Sequence, residues 1–202
     1  MISLVGIHTI CGMRGHGKSY YVKNFIIPSI IGKRKIIVWD INHEYPNSDK
    51  YERIRPEPVT FIKGKPYDYA QLLNHYCKIW YHDKEYHGSV IIIEEADVSI
   101  PSSQVMSFVR RYPWTYTMLN RSRHVQIGLF LISRFPSAMF NQCYRLSESI
   151  TIFRLWSPLD IDHFKKYLPE GWPDKIREMR KRWFIFYNDL GEVKMCPPIK
   201  TR

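Results

Sequence analysis

The segment Gly12-Met13-Arg14-Gly15-His16-Gly17-Lys18-Ser19 has the spacing G-x-x-x-x-G-K-[ST]. Glycines at those positions let a turn curl its backbone N–H groups toward phosphate oxygens. In that chemistry Lys18 neutralises the β and γ phosphates and the Ser19 hydroxyl ligates Mg2+. The N-terminus of a following helix favours the anion. ATP and Mg2+ are the cofactors this pattern implies, and its nucleotide-binding candidates are Gly12, Met13, Arg14, Gly15, His16, Gly17, Lys18, Ser19 and Tyr20. A second constellation is Ile91-Ile92-Ile93-Glu94-Glu95. A carboxylate ending a buried strand beside a phosphate loop can hold Mg2+ through water, which is the role expected of Glu94. The next carboxylate, Glu95, can orient and deprotonate a water aimed at the γ-phosphate. Metal ligation is thus assigned to Ser19 and Glu94, and the general base to Glu95. Asp40 and Glu44 form a further acid pair that serves equally as a loop cap or as part of a site.

These groups need elements to position them. Leu4 to Ile10 reads as a buried parallel strand, and Tyr20 to Ile27 as a helix that Pro28 interrupts. Lys35 to Ile41 is a second strand, Asn42 to Pro58 a polar loop, and Val59 to Lys63 a short strand. Tyr67 to Tyr81 carries helical spacing, and Ser102 or Ser103 can cap a helix bearing Val105, Phe108 and Val109. Val125 to Ser133 and Ile150 to Leu155 are further buried strands. Asp160 to Leu168 and Asp174 to Lys181 read as helices, and Trp183 to Cys196 as a terminal hairpin around Asn188-Asp189-Leu190-Gly191. Strands alternating with helices predict an α/β fold with a mostly parallel central sheet, covered on both faces and ending in a C-terminal hairpin.

The 202 residues carry 30 Lys and Arg against 19 Asp and Glu, a net charge of +11 that calls for a polyanionic partner. Hydrophobic residues make up 45%, enough for a buried core and against intrinsic disorder. The length is that expected of one domain spanning 1–202. Cys11, Cys77, Cys143 and Cys196 contain no C-x-x-C pair, which excludes a zinc ribbon. No apolar run approaches a membrane span, and Met1-Ile2-Ser3-Leu4-Val5 lacks the basic head of a signal peptide, so a soluble protein is expected.

With both motifs in place, the chain resembles the FtsK–HerA superfamily of DNA-pumping ATPases. Within it, the chain is most similar to the short genome-packaging NTPases of membrane-containing icosahedral viruses, such as the turreted viruses of hot-spring archaea. Val38-Trp39-Asp40-Ile41-Asn42-His43-Glu44-Tyr45 resembles the family's second strand with its Asp-x-x-x-Glu-Tyr ending. Arg123 to Ser133 resembles its fourth strand with a preceding arginine, and Arg134-Phe135-Pro136-Ser137 stands where the family has Gln-Arg-Pro-Ser. The likeness covers roughly residues 3 to 156, leaving a helical and hairpin extension over 157–202. It implies an additional-strand, RecA-like P-loop NTPase that acts as a homo-oligomeric ring, a pentamer or hexamer. The implied work is driving double-stranded DNA into a preformed capsid from the host cytoplasm or the packaging vertex. Capsid, portal-vertex or membrane-vertex proteins are the further partners it implies. It also implies a polar sensor at Arg134 and a trans arginine finger, for which Arg123 is the best match and Arg121, Arg110 and Arg111 are alternatives. The catalytic set is then Lys18, Glu95, Arg134 and Arg123. Candidate DNA contacts are Arg110 and Arg111, followed by Tyr112 and Trp114, and Lys175, Arg177, Arg180 and Lys181, part of a basic stretch with Arg182 that Trp172 and Trp183 bracket.

Two other classes share some of these features. A small P-loop nucleotide kinase takes its nucleophile from the acceptor, so it has no use for a water-activating acid such as Glu95. A nonenzymatic nucleic-acid or membrane-assembly module with a vestigial nucleotide site has no use for an intact Lys18, Ser19 and paired glutamates.

Overall fold

The structure, a computed structural model, describes residues 3–62 and 64–199. Met1, Ile2 and Lys63, on which the leader and short-strand expectations partly rest, lie outside the described residues. Strand β1 (Ile7–Cys11) leads through the glycine-rich loop into α1 (Lys18–Tyr21), a π-turn over Val22–Ile26, and α2 (Ile27–Ile30). Next come β2 (Ile36–Trp39), β3 (Glu52–Ile54), β4 (Thr60–Ile62), β5 (Lys65–Tyr67) and α3 (Tyr69–His82). Strand β6 (Val90–Ile93) runs into α4 (Ala96–Ser99), α5 (Val105–Arg111) and α6 (Pro113–Arg121). Then follow β7 (Gly128–Ser133), α7 (Gln142–Arg145), β8 (Ser147–Phe153), α8 (Pro158–Phe164), α9 (Trp172–Glu178), β9 (Phe184–Asn188) and β10 (Val193–Cys196).

Among the described residues, eight strands form one sheet in the order β10-β9-β8-β1-β7-β6-β2-β3. The pairings from β8 through β3 are parallel, while β9 and β10 join antiparallel as the predicted hairpin. Strand β7 is inserted between β1 and β6, the additional strand that the resemblance implied. Alternate residues go to opposite faces, because side chains along a strand alternate. Ile37, Trp39, Ile91 and Ile93 pack under α3, α5 and α6 with Leu73, Trp80 and Phe108. Ile36, Val38, Val90 and Ile92 pack instead under the first helices, with Val22, Ile26 and Ile30. Burial on both faces explains the near-continuous aliphatic runs of these strands. No helix among the described residues is long and apolar enough to cross a membrane.

Several local expectations change. The first helix does not end at Pro28 but runs on to Ile30. The π-turn resets the hydrogen-bond register, with Ile27 N–H donating to Val22 O, so the proline falls at the start of a new helical turn where its missing donor is tolerated. The segment expected to be loop contains β3, a three-residue edge strand whose polar composition hides it. Helix α5 starts after Gln104 without a side-chain cap, so neither Ser102 nor Ser103 caps it. Helix α6 opens on Pro113, a residue suited to a first helical turn, and falls where the sequence spacing shows no helix. Helix α9 stops at Glu178, leaving Arg180 and Lys181 beyond it.

Gly128 opens β7 beneath the backbone of the N-terminal segment, and a Cβ there would come 2.4 Å from Leu4 O. Gly128→Ala is therefore expected to destabilise the fold by about 1–3 kcal/mol, read as a lower midpoint in chemical denaturation. An unchanged midpoint would show that residues 4–6 can move away without cost.

Candidate nucleotide site

The loop joining β1 to α1 needs left-handed backbone at three glycines, Gly12 (φ 150°), Gly15 (φ 76°) and Gly17 (φ 114°). At Gly12 a side chain is excluded outright, since its Cβ would lie 2.5 Å from Phe153 Cβ on β8. The loop is anchored at its base by Gly12 N–H donating to Ser133 O at 3.2 Å and Met13 N–H donating to Arg154 O at 3.0 Å. The ends of β7 and β8 thus fix where the loop begins. Within it, Lys18 is buried and its ammonium donates to Gly12 O (2.6 Å) and Met13 O (3.1 Å). Burial lowers the Lys18 pKa, opposed by the nearby carboxylates Glu94 and Glu95. His16 Nδ1 is buried without a hydrogen-bond partner, and burial lowers that ring's pKa as well.

The cavity facing this loop measures about 510 Å³ and is lined by Arg14, Gly15, Gly17, Lys18, Ser19 and Tyr20 on one side. Asn42, Glu44, Glu94, Glu95, Arg134 and Arg182 complete it. The two glutamates leave the C-terminal end of β6, and both are buried. Glu94 Oε1 accepts a hydrogen bond from the Tyr45 hydroxyl, itself buried. Burial above all, with Glu44 and Glu95 adding to it, pushes the Glu94 carboxyl up to about 7, against the opposing pull of Tyr45 and Lys18. Glu95 adopts left-handed backbone (φ 50°) at the start of α4. Both of its carboxylate oxygens are engaged: Asn42 Nδ2 donates to Oε1 at 2.7 Å and Arg134 Nε donates to Oε2 at 2.7 Å. Asp40, fully buried, spends its oxygens on the backbone N–H groups of Glu44 (2.8 Å) and Tyr45 (3.0 Å). It is thereby a loop cap that holds Tyr45 against Glu94.

Among the described residues, no group of three or more His, Cys, Asp or Glu could hold a metal ion by itself. The hard oxygen donors that do converge, the Ser19 hydroxyl and the Glu94 carboxylate, suit a Mg2+ whose remaining ligands are phosphate and water. They fit the ion expected from the sequence.

The other predicted residues lie elsewhere. Arg123 sits on the turn before β7, at the end of the strands opposite the phosphate loop, and its Nη2 donates to Glu148 Oε1 at 2.5 Å. Arg110 and Arg111 end α5 and are exposed, as is Arg121 at the end of α6. Lys175, Arg177, Arg180 and Lys181 are exposed along and beyond α9, where Lys175 lies 4.1 Å over the Trp172 ring. Asn42 and Tyr45, the partners of Glu95 and Glu94, have no role assigned from the sequence, and Arg182, expected in the basic stretch that could meet DNA, lines the cavity instead. Only Tyr45 carried a signal, as the last letter of the Asp-x-x-x-Glu-Tyr stretch.

A parallel sheet with the strand order β8-β1-β7-β6-β2, a glycine-rich loop between β1 and a helix, and paired acids closing β6 together define a P-loop NTPase fold. No protein-family model and no curated protein sequence matches the chain. Solved structures do. The genome packaging NTPase B204 from Sulfolobus turreted icosahedral virus 2, in complex with ATP-gammaS, superposes with a TM-score of 0.79 at 22% identity, over 98% of this chain and 100% of that one. B204, the DNA-packaging ATPase from Sulfolobus turreted icosahedral virus, gives 0.78 at 20% identity over the same shares. The N-terminal domain of zonular occludens toxin from Neisseria meningitidis gives 0.57 at 16% identity, over 98% of this chain and 96% of that one. The chain therefore shares its fold with packaging NTPases across nearly its whole length.

The Glu94 carboxyl yields a pH signature. With its folded pKa near 7 and a reference value of 4.5, the folded state keeps a proton that the unfolded chain releases. Stability is then highest below about pH 4.5 as far as this group is concerned, and declines as pH rises toward 7, by on the order of 3 kcal/mol. In nucleotide-free protein with chelator, Glu94→Gln is expected to flatten this part of the stability–pH curve relative to wild type. Parallel curves would show that Glu94 ionises normally in the folded chain.

Proposed function

We propose that this chain is an ATP-hydrolysing motor of the FtsK–HerA type that moves double-stranded DNA into a preformed viral capsid, working as a homo-oligomeric ring. The observation that carries the proposal is the convergence of Lys18, Ser19, Glu94, Glu95 and Arg134 on one cavity, within a fold shared over 98% of the chain with a genome packaging NTPase. Lys18 and the loop backbone hold the phosphates. Ser19 and Glu94 would hold Mg2+, which would neutralise phosphate charge when bound. Glu95 accepts the proton of the attacking water, and Asn42 and Arg134 set the direction of its carboxylate. Water as the nucleophile distinguishes this reaction from that of a nucleotide kinase, so phosphate release is expected without any acceptor nucleotide.

Arg123 is assigned to the neighbouring subunit's site. It and its own cavity lie at opposite ends of the sheet strands, so it cannot reach its own site and can meet a neighbour's in a head-to-tail ring. Glu148 would release it on assembly. The polyanionic partner demanded by the net charge of +11 is DNA, contacted through phosphates by the exposed cations along and beyond α9.

Glu95→Gln is expected to keep nucleotide affinity and lose most turnover, since the amide cannot take a proton. Arg123→Ala is expected to spare the nucleotide affinity of a monomer but remove the gain on assembly, ~10³-fold for arginine fingers. Mixing the two inactive variants should restore part of the activity, because some interfaces then pair an intact Glu95 with an intact Arg123. Rings shown to be mixed yet inactive would place Arg123 outside the neighbour's site.

DNA affinity is expected to be independent of sequence and to fall steeply with salt. Charge reversal at Arg177, Arg180 and Lys181 should flatten that dependence. An unchanged slope would move the contact to Arg110 and Arg111.

A further inference from the structure

The strand order gives the cavity two ends. Glu94, Glu95, Asn42 and Arg134 come from the loops after β6, β2 and β7, on one side of β1. On the other side lie β8 and β9, whose pairing sets Phe153 opposite Phe184 and so brings the chain just ahead of β9 to the same sheet edge as the phosphate loop. A nucleotide whose terminal phosphate meets Glu95 has to extend toward this second end.

Arg182 stands there. It lines the cavity, and its guanidinium lies 4.7 Å over the ring of Tyr20, the residue directly after Ser19. Its side-chain stem crowds the loop closely enough that a Cβ at Gly17 would come 3.3 Å from Arg182 Cγ. Behind it, Tyr20, Tyr21, Phe153 and Phe184 leave a notch of only about 10 Å³, so a base would lie on the exposed side of Arg182 and not in this notch. Arg182 is also one of four non-glycine residues with positive φ among the described residues, at 67°, and Glu95 is another. Such backbone costs of order 1–3 kcal/mol and gathers where a side chain has to be aimed. The positive φ belongs to the turn between α9 and β9, where Trp183 N–H donates to Arg180 O at 3.1 Å and Arg182 is the third residue. The turn favours glycine or asparagine there, and a planar cation at the mouth of a phosphate loop instead suits a nucleobase.

We propose that Arg182, backed by Tyr20, is the residue on which the nucleobase stacks, so that the C-terminal extension supplies the nucleoside half of the site. This rests on the cavity being a nucleotide site. A planar guanidinium can lie flat against a π-system, while an ammonium contacts a ring face only as a point cation, so Arg182→Lys keeps the charge and removes the plane.

The test is calorimetric binding of Mg2+–ATP and of Mg2+–tripolyphosphate, which has the phosphates but no base, to wild type and to Arg182→Lys. Expected is a loss of about tenfold for ATP, with tripolyphosphate changed less than twofold. Unchanged ATP affinity, or an equal loss for both ligands, would overturn the assignment, the second by showing that Arg182 acts on phosphate. Arg182→Gly provides the control for structure, since glycine accepts the positive φ. It should hold or raise the melting temperature of the nucleotide-free protein while weakening ATP binding, and a lowered melting temperature would make Arg182 a structural residue instead. Failure of the wild-type protein to bind either ligand would instead refute the nucleotide site itself, a result distinct from all of these.

Discussion

Parallel strands buried on both faces leave polar side chains almost nowhere to go except the strand ends. Strands β2, β6, β7, β1 and β8 run side by side in one direction, and aliphatic and aromatic residues fill most of their interiors, with buried polar exceptions at His8 and Thr9 of β1 and Ser149 and Thr151 of β8. The polar groups that line the cavity are consequently displaced to the loops at one end of the strands. Asp40 and Asn42 follow β2, Glu94 and Glu95 follow β6, Arg134 follows β7, and the phosphate loop follows β1. The direction of the sheet gathers the site. The helices on either face then hold these ends in place through the two halves of the core.

Gathering charges at a partly buried edge creates an electrostatic difficulty that the pocket resolves by pairing. Lys18 turns inward onto loop carbonyls, Glu94 takes the Tyr45 hydroxyl, and Glu95 is shared between Asn42 and Arg134. Each partner is itself oriented. Tyr45 is positioned by Asp40, and Arg134 donates its backbone N–H to Asp97 Oδ1 at 3.2 Å. Charge burial is thus tolerated because the loops after β2 and β7 close over the glutamates from both sides, and because Lys18 donates to the carbonyls of its own loop.

Much of this was legible in the sequence where local chemistry decides structure. The phosphate loop announces itself because only glycine fits Gly12 and Gly17, and the strands because burial on two faces forces continuous aliphatic runs. The paired glutamates follow from their place after such a run. What the sequence withheld depends on residues far apart in the chain. Asn42 meets Glu95 across 53 positions and carries no signature of its own. Arg182 looks like one more member of a basic stretch, because neither its positive φ nor its seat over Tyr20 is written in its neighbours. Pro28 misled for a related reason: a proline rule that assumes uninterrupted α-helical register fails where a π-turn shifts the register first. The polar edge strand β3 has too few apolar residues to show a period.

The two margins of the sheet have a consequence for life at high local concentration. On one side β3 offers three residues, Glu52, Arg53 and Ile54, with Pro56 close behind. On the other β10 offers four, with a lysine among them, and Pro197 and Pro198 directly after, which carry no N–H to donate. Short, charged, proline-bordered margins are poor templates for further strand pairing. Many copies crowded together can therefore meet through loops and helices, as reversible neighbours, without zipping into amyloid-like ribbons.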